Sequence, residues 1–310
     1  MNELPLAVRV RLVVKGLTPP FLWALLKALK ERRRRSSERL PEREAELETP
    51  VATAPPEWEY VPEGWARPAG GWDVGTVAQA YRAKWPAFVA AVEGPGPLGV
   101  NHEVPVGRSV TRDDRDAEHV VLAFAYALAL AAHDDRPLSL LDWGGGPGHY
   151  AVLARRLLPG VELDYHSRDL PTLVALGREL LPSDSFHDDD GCLDRRYDLV
   201  VASSSLHYVE DWRALLERLA DAADGYLYVT RVPVALGCDS FVVLQRAHAY
   251  GYETEYLGWV LNRTQLVAAA GSAGVELVRE FVLPAWFTAE GAPETPVEHR
   301  GYLFARSVQR

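Results

Sequence analysis

The chain has 310 residues, of which 48% are hydrophobic and 25% charged, with a net charge of -10 and a pI near 5.4. That length can bury a sizeable core, the composition is that of an ordinary globular protein, and the acidity argues against a nucleic-acid partner. Cys192 and Cys238 are too far apart and too poor in companion histidines for a disulfide framework or a zinc site, so a reducing cytoplasm is the expected setting and no metal is expected.

Charge is uneven, because residues 1–35 carry nine Lys or Arg against two Glu. Thr18-Pro19-Pro20 is a helix start signal, and Phe21, Leu22, Trp23, Leu25, Leu26 and Leu29 follow at amphipathic spacing before the cluster Arg32 to Arg35. An apolar face beside a polybasic run can lie in a membrane interface, so residues 5–35 are a candidate for peripheral contact with the inner face of a membrane. The alternative is a helix packed on the body or on a second subunit, which leaves a homo-oligomer open. No apolar run reaches the roughly 20 residues that a spanning helix needs, and no small-residue cleavage site follows this stretch.

Residues 36–56 have linker composition, rich in Glu, Arg, Ser, Pro and Ala. Residues 57–110 form an aromatic-rich cap region, with Trp58, Tyr60, Trp65, Trp72, Tyr81 and Trp85 and one helix expected over 74–92, packing on or lidding the main domain. The main domain is expected over 111–310. Thr111 to Asp114 is a polar cap for a helix running to about His133. Strand-length apolar runs follow at Leu138 to Asp142, Val161 to Tyr165, Tyr197 to Ala202 and Tyr226 to Val229, alternating with helical stretches. This alternation predicts a doubly wound α/β fold, a parallel sheet with right-handed crossovers. Val275 to Leu283 and Gly301 to Arg306, with no helix between them, predict an antiparallel pair at the sheet edge.

The chemistry concentrates after the first of these strands, in Asp142-Trp143-Gly144-Gly145-Gly146-Pro147-Gly148-His149-Tyr150. Glycines at 144, 145, 146 and 148 let the backbone take left-handed torsions and approach a ligand closely, and the next helix offers free N–H groups at its start. A dinucleotide site would want a third glycine where His149 stands, and no Gly-Lys-Ser or Gly-Lys-Thr follows for a P-loop. Asp142 suits the cationic amino-acid end of S-adenosylmethionine (SAM), directly or through water, and would repel a pyrophosphate.

The second strand should end on a carboxylate able to accept from both ribose hydroxyls, and Asp169 meets that requirement, with Asp164 the competitor if the strand stops early. One of Asp188 or Asp189, after a third strand ending near 186–190, is the candidate for the adenine amino group. Beyond the fourth strand lie Ser203, His207 and Tyr208. His207 is the candidate general base, with packing against adenine or a helix cap as its alternative, and Tyr208 is a candidate for lining the pocket. Thr230-Arg231-Val232-Pro233 ends the fifth strand, where Arg231 could hold a phosphate or carboxylate of the substrate or else form a structural ion pair.

Leu141 to Gly148, Asp169 and Tyr197 to Val201 resemble class I SAM-dependent methyltransferases over about residues 116–310. More narrowly, Pro19-Pro20, Trp58 to Trp65, Asp142 to Tyr150, Ala202 to Tyr208 and Thr230 to Pro233 resemble a group of bacterial methyltransferases associated with surface-polysaccharide biosynthesis. The resemblance implies a Rossmann-like class I sheet with an antiparallel C-terminal edge pair and an N-terminal helical extension. It also implies SAM as cofactor, with Ser203 in its site, and a hydroxyl of a sugar, nucleotide-sugar or glycan as acceptor. His207 stands where that group has Gln more often, and Asp169 where Glu is common. A non-catalytic SAM-fold subunit scaffolding a membrane-associated complex is the alternative of a different class, and an NAD-linked oxidoreductase is disfavoured by His149.

Overall fold

A computed structural model describes residues 55–133 and 135–306. The expected N-terminal helix and most of the linker lie outside these described residues. Among them, no helix is long and apolar enough to cross a membrane.

The central sheet begins with β2 (Leu138–Trp143), flanked in parallel by β3 (Leu163–Arg168) and β5 (Tyr197–Ser203). β4 (Ser185–His187) extends it beyond β3, and β6 (Ala223–Ala235) extends it beyond β5, again in parallel. β10 (Val297–Arg306) runs antiparallel between β6 and β9 (Val275–Phe287), which is the expected reversed pair at the edge. The fold is therefore a Rossmann-like, parallel-dominated sheet with an antiparallel edge pair, as the resemblance implied.

Strands buried on both faces read as continuous apolar runs, and the alternation along them sorts two cores. Leu138, Leu140, Leu199 and Val201 face one core, which is completed by α1 (Gly75–Glu93), α2 (Arg115–Ala131) and α3 (His149–Leu157) through Phe88, Phe124, Leu128 and Leu153. Leu141, Trp143, Val200 and Ala202 face the other, against α5 (Trp212–Ala222) and α6 (Arg263–Ser272). Asp114 caps α2 by accepting from the amides of Asp116 and Ala117, and α4 (Pro171–Leu180) opens on Pro171, whose fixed torsion suits a first turn.

Two expectations about strand limits need correction. The second parallel strand lies two or three residues further along than the apolar run 161–165, because it continues through His166 and the fully buried Ser167. Its polar members are satisfied there, His166 bonding Asp164 and His187. The fifth strand does not end at Thr230-Arg231-Val232-Pro233 but runs to Ala235 through a β-bulge. Thr230 and Arg231 together oppose the single Gly301, since Val229 pairs with Tyr302 and Val232 with Arg300.

Beyond the bulge, β6 stays paired with β10 and also meets β8 (Glu255–Asn262) at Val234 and Ala235. β8 pairs antiparallel with β7 (Phe241–Arg246), which pairs with β1 (Trp58–Val61), so the cap region contributes a strand to an antiparallel extension of the same sheet. None of these three strands, nor α6, was predicted from the sequence.

Candidate active site

β2 ends in a turn where Gly144, Gly146 and Gly148 have φ of 74°, 57° and 99°, the left-handed region that only glycine enters cheaply. The turn leads straight into α3. Asp142 lies beneath it, with 0% exposure: a β-carbon on Gly145 would stand 2.5 Å from the Asp142 carboxyl group. The Tyr165 hydroxyl donates to Oδ2 of Asp142 at 2.7 Å, while Oδ1 is buried without a protein partner. Burial is the main cause that pushes the Asp142 carboxyl up to about 7, against the Tyr165 hydrogen bond and with help from the nearby charge of Asp169.

Asp169 follows directly on β3. Its two oxygens accept from the amides of Gly146 and Leu170, both at 2.7 Å, so the carboxylate is tied to the glycine turn. Burial raises its pKa and those two amides oppose the rise. Asp164, its competitor, sits near the amino end of β3 and pairs with Arg195.

Asp169 and the turn Gly144 to Gly146 border a cavity of about 850 Å³ at the carboxyl ends of the parallel strands, whereas Asp142 and Gly148, the other candidates of this turn, do not reach its wall; the volume is within the range of about 300–1,000 Å³ typical of small-molecule sites. Gly144, Gly145, Gly146, Asp169 and Ser203 lie on its wall. Ser203 Oγ is 2.8 Å from the Tyr150 hydroxyl, and Ser205 donates to the Trp143 carbonyl at 2.8 Å, pinning the end of β5 to the end of β2. Ser204 between them has φ 51°, a strained torsion of the kind that collects at functional sites.

Further parts of the wall come from the first turns of α2, from the cap and from the segment after β6. Trp72 stacks on Tyr256 with ring centroids 4.0 Å apart and meets Tyr208 edge-on at 5.1 Å. Tyr252 and Tyr81 continue this aromatic surface. His149 and His102 stack at 4.1 Å and pack among Tyr81, Trp85 and Phe88. Burial holds both neutral, His102 at about 3 and His149 well below the ordinary histidine range.

Not every candidate residue reaches the cavity. Asp189 caps the short turn Asp190–Asp194 by accepting from the Gly191 amide, and Asp188 points to Arg178; neither forms part of the wall. His207, the candidate base, is 2% exposed and absent from the wall, packed beside Tyr208 and Gly258. Burial, with the charges of His299 and Arg231, holds it neutral. The residue that faces the cavity from this single turn is Tyr208, whose hydroxyl donates to Gln245 Oε1 at 2.9 Å. His207→Ala should therefore lower the melting temperature by removing a buried ring while leaving SAM uptake as in the wild type, read by thermal melting and by equilibrium dialysis. A variant that melts like the wild type would contradict a packing role.

Arg231 lies on the wall and pairs through Nη2 with Glu103 from the loop between α1 and α2. Sequence reasoning missed Glu103, Trp72's place in the wall, Tyr252 and Tyr256. Only the aromatic density of 57–110 hinted that this region closes over a site.

A methyltransferase-domain family matches residues 114–280, more than half of the chain. The chain belongs to this methyltransferase family. No curated protein matches it. Among solved structures, the methyltransferase is similar to the 1,6-didemethyltoxoflavin-N1-methyltransferase of Burkholderia thailandensis, at 17% identity and TM-score 0.41, covering 66% of this chain and 94% of that one. It is also similar to an S-adenosylmethionine-dependent methyltransferase of Clostridium acetobutylicum, at 11% identity and TM-score 0.42, covering 61% and 91%. The CcbJ methyltransferase of Streptomyces caelestis is a third, at 16% identity and TM-score 0.41, covering 62% and 98%. Among the described residues of this methyltransferase, no group of three His, Cys, Asp or Glu could hold a metal ion.

Proposed function

We propose that this methyltransferase uses SAM to methylate a hydroxyl of a sugar, nucleotide-sugar or glycan in surface-polysaccharide assembly. The observation that carries the cofactor reading is the buried, unpartnered Oδ1 of Asp142 beneath a glycine turn whose Gly146 leaves open space for a ligand. An orphaned carboxylate oxygen is costly and calls for a donor or a cation, which the methionine ammonium of SAM, or a water it holds, would supply. Asp169 has lone pairs left after its two amide bonds and would accept from the ribose hydroxyls.

Bound there, SAM supplies a methyl carbon made electrophilic by its sulfonium. The work of the chain is then to orient an acceptor oxygen in line with that carbon and to keep water away, which accounts for most of the rate in such displacements. Tyr208, Trp72 and Tyr256 offer the apolar faces on which a sugar ring can rest. The acceptor class is supported by the resemblance of 58–65, 202–208 and 230–233 to the polysaccharide-associated group. The apolar and basic composition of residues 5–35 supports contact with an anionic membrane surface.

Thermal melting with SAM, S-adenosylhomocysteine and NAD side by side tests the cofactor reading. A ligand at one hundred times its Kd adds about 2.7 kcal/mol, and hence several degrees for a domain of this size. The first two should give that rise and NAD none. A rise with NAD alone would overturn the assignment.

A further inference from the structure

Arg231 is held in an unusual way. It is one of two non-glycine residues with positive φ among the described residues, at 56°, and it occupies the bulge in β6 opposite Gly301. Bulges beside active sites re-aim side chains, and a left-handed torsion on a long side chain costs about 1–2 kcal/mol. The side chain so placed is only 26% exposed. Its hydrogen-bond partner among the described residues is Glu103, 128 positions away, and the contact uses one terminal nitrogen, Nη2, to one oxygen, Oε2. A guanidinium offers five donors in a fork that fits two oxygens at once, so this contact uses only part of it.

Glu103 is presented by a loop with its own ties. Its amide donates to Asn101 Oδ1 at 2.9 Å, and Asn101 Nδ2 donates to Asp114 Oδ2 at 3.2 Å. The Val106 amide donates to the Ala249 carbonyl at 2.8 Å and His102 is stacked on His149, so the loop backbone is fixed and the Glu103 side chain is the part that can move. The wall holds one other arginine, Arg168, which pairs with Asp190 and lies over the Trp143 ring. Arg231 is the cation that shares the cavity with the aromatic surface of Trp72, Tyr208, Tyr252 and Tyr256.

We propose that Glu103 is a stand-in for an anionic group of the acceptor: a phosphate or carboxylate next to the ring that rests on the aromatic wall takes the Arg231 fork with two oxygens and displaces Glu103. That this molecule is the methyl acceptor rests on the function proposed above; the anion site itself does not. A second charge-assisted bond favours the incoming anion, and the Glu103 side chain swings aside while the loop backbone stays in place. The exchange gives selectivity as well as affinity, since a neutral acceptor would leave the ion pair in place and gain nothing from Arg231.

The test uses the full chain and phenyl phosphate, a flat ring bearing an anion, with inorganic phosphate and phenol as separate arms, followed by calorimetry. Phenyl phosphate should bind the wild type more tightly than either arm does. Removing the competing carboxylate in Glu103→Gln should tighten it by about tenfold, and Arg231→Lys, which keeps the charge and loses the fork, should weaken it by about tenfold. If Glu103→Gln binds phenyl phosphate no tighter than the wild type, or if phenyl phosphate fails to bind, the proposal falls. Should Arg231→Lys fail to fold, the Glu103→Gln arm still decides. SAM uptake by the wild type is measured in parallel, so that loss of the cofactor reading and loss of the anion site are separate outcomes.

Discussion

Gly146→Ala is expected to abolish SAM uptake in a protein that still folds, whereas Gly145→Ala is expected to lose the fold first. The two glycines are neighbours in one turn, and the difference comes from what a β-carbon would meet. At Gly146 the nearest atom is Nδ1 of His149 at 4.0 Å, so the methyl group enters open space. Its cost to folding is the left-handed torsion of 57°, about 1–2 kcal/mol. At Gly145 the methyl would lie 2.5 Å from the Asp142 carboxyl group and 2.7 Å from Ser167 Oγ, both fully buried and unable to retreat. Overpacking of this kind costs about 1–3 kcal/mol or more, and here it also displaces a buried carboxylate.

The space left open at Gly146 borders Asp169, so what fills it competes with whatever that carboxylate binds. Melting curves and equilibrium dialysis with labelled SAM separate the two effects. A Gly146→Ala protein that takes up SAM like the wild type would show that the open space is not the cofactor cradle.

How much of this was legible in advance follows from how local each constraint is. The glycine turn could be read because three left-handed torsions in five residues leave few residue choices, and the topology of a parallel sheet then sets which edge holds the site. The position of Asp169 at the end of β3 could be read by its distance from the turn, while that of Asp164, near the other end, became clear only once β3 was seen to run past its apolar half. His207 could not be assigned, because successive residues of a 3-10 turn point about 120° apart and nothing local sets which of Leu206, His207 and Tyr208 faces the cavity.

Arg231 was found as a residue, but not its partner, since a contact across 128 positions leaves no local mark. β7 and β8 escaped for a related reason. They extend the sheet to β1, which comes from the far end of the described chain, and Pro233 and Arg231 looked like the end of β6 because a bulge is invisible in the residue pattern.

Asp142→Asn should weaken SAM binding and also erase a pH dependence. The carboxyl of Asp142 rises from 3.8 to about 7 in the folded state, chiefly through burial. Between those two values the folded protein holds a proton that the unfolded chain has released, so stability falls as pH rises through this window. At about 1.4 kcal/mol per pH unit the full swing is at most about 4 kcal/mol. Asp169, also raised, adds to the loss with the same sign.

A cationic ligand reverses the preference. An ammonium near Oδ1 favours the carboxylate, so SAM binding below about pH 7 must expel the proton, and its affinity should fall by up to about tenfold per pH unit there and level off above. The amide of Asp142→Asn can still accept from Tyr165, but it has no proton to expel and no charge to offer. Calorimetry at pH 6 and pH 8, in buffers of different ionisation enthalpy, should find proton release in the wild type at the lower pH and little in the variant. Proton release that survives the substitution would move the coupling to Asp169 and leave Asp142 a structural member of the turn.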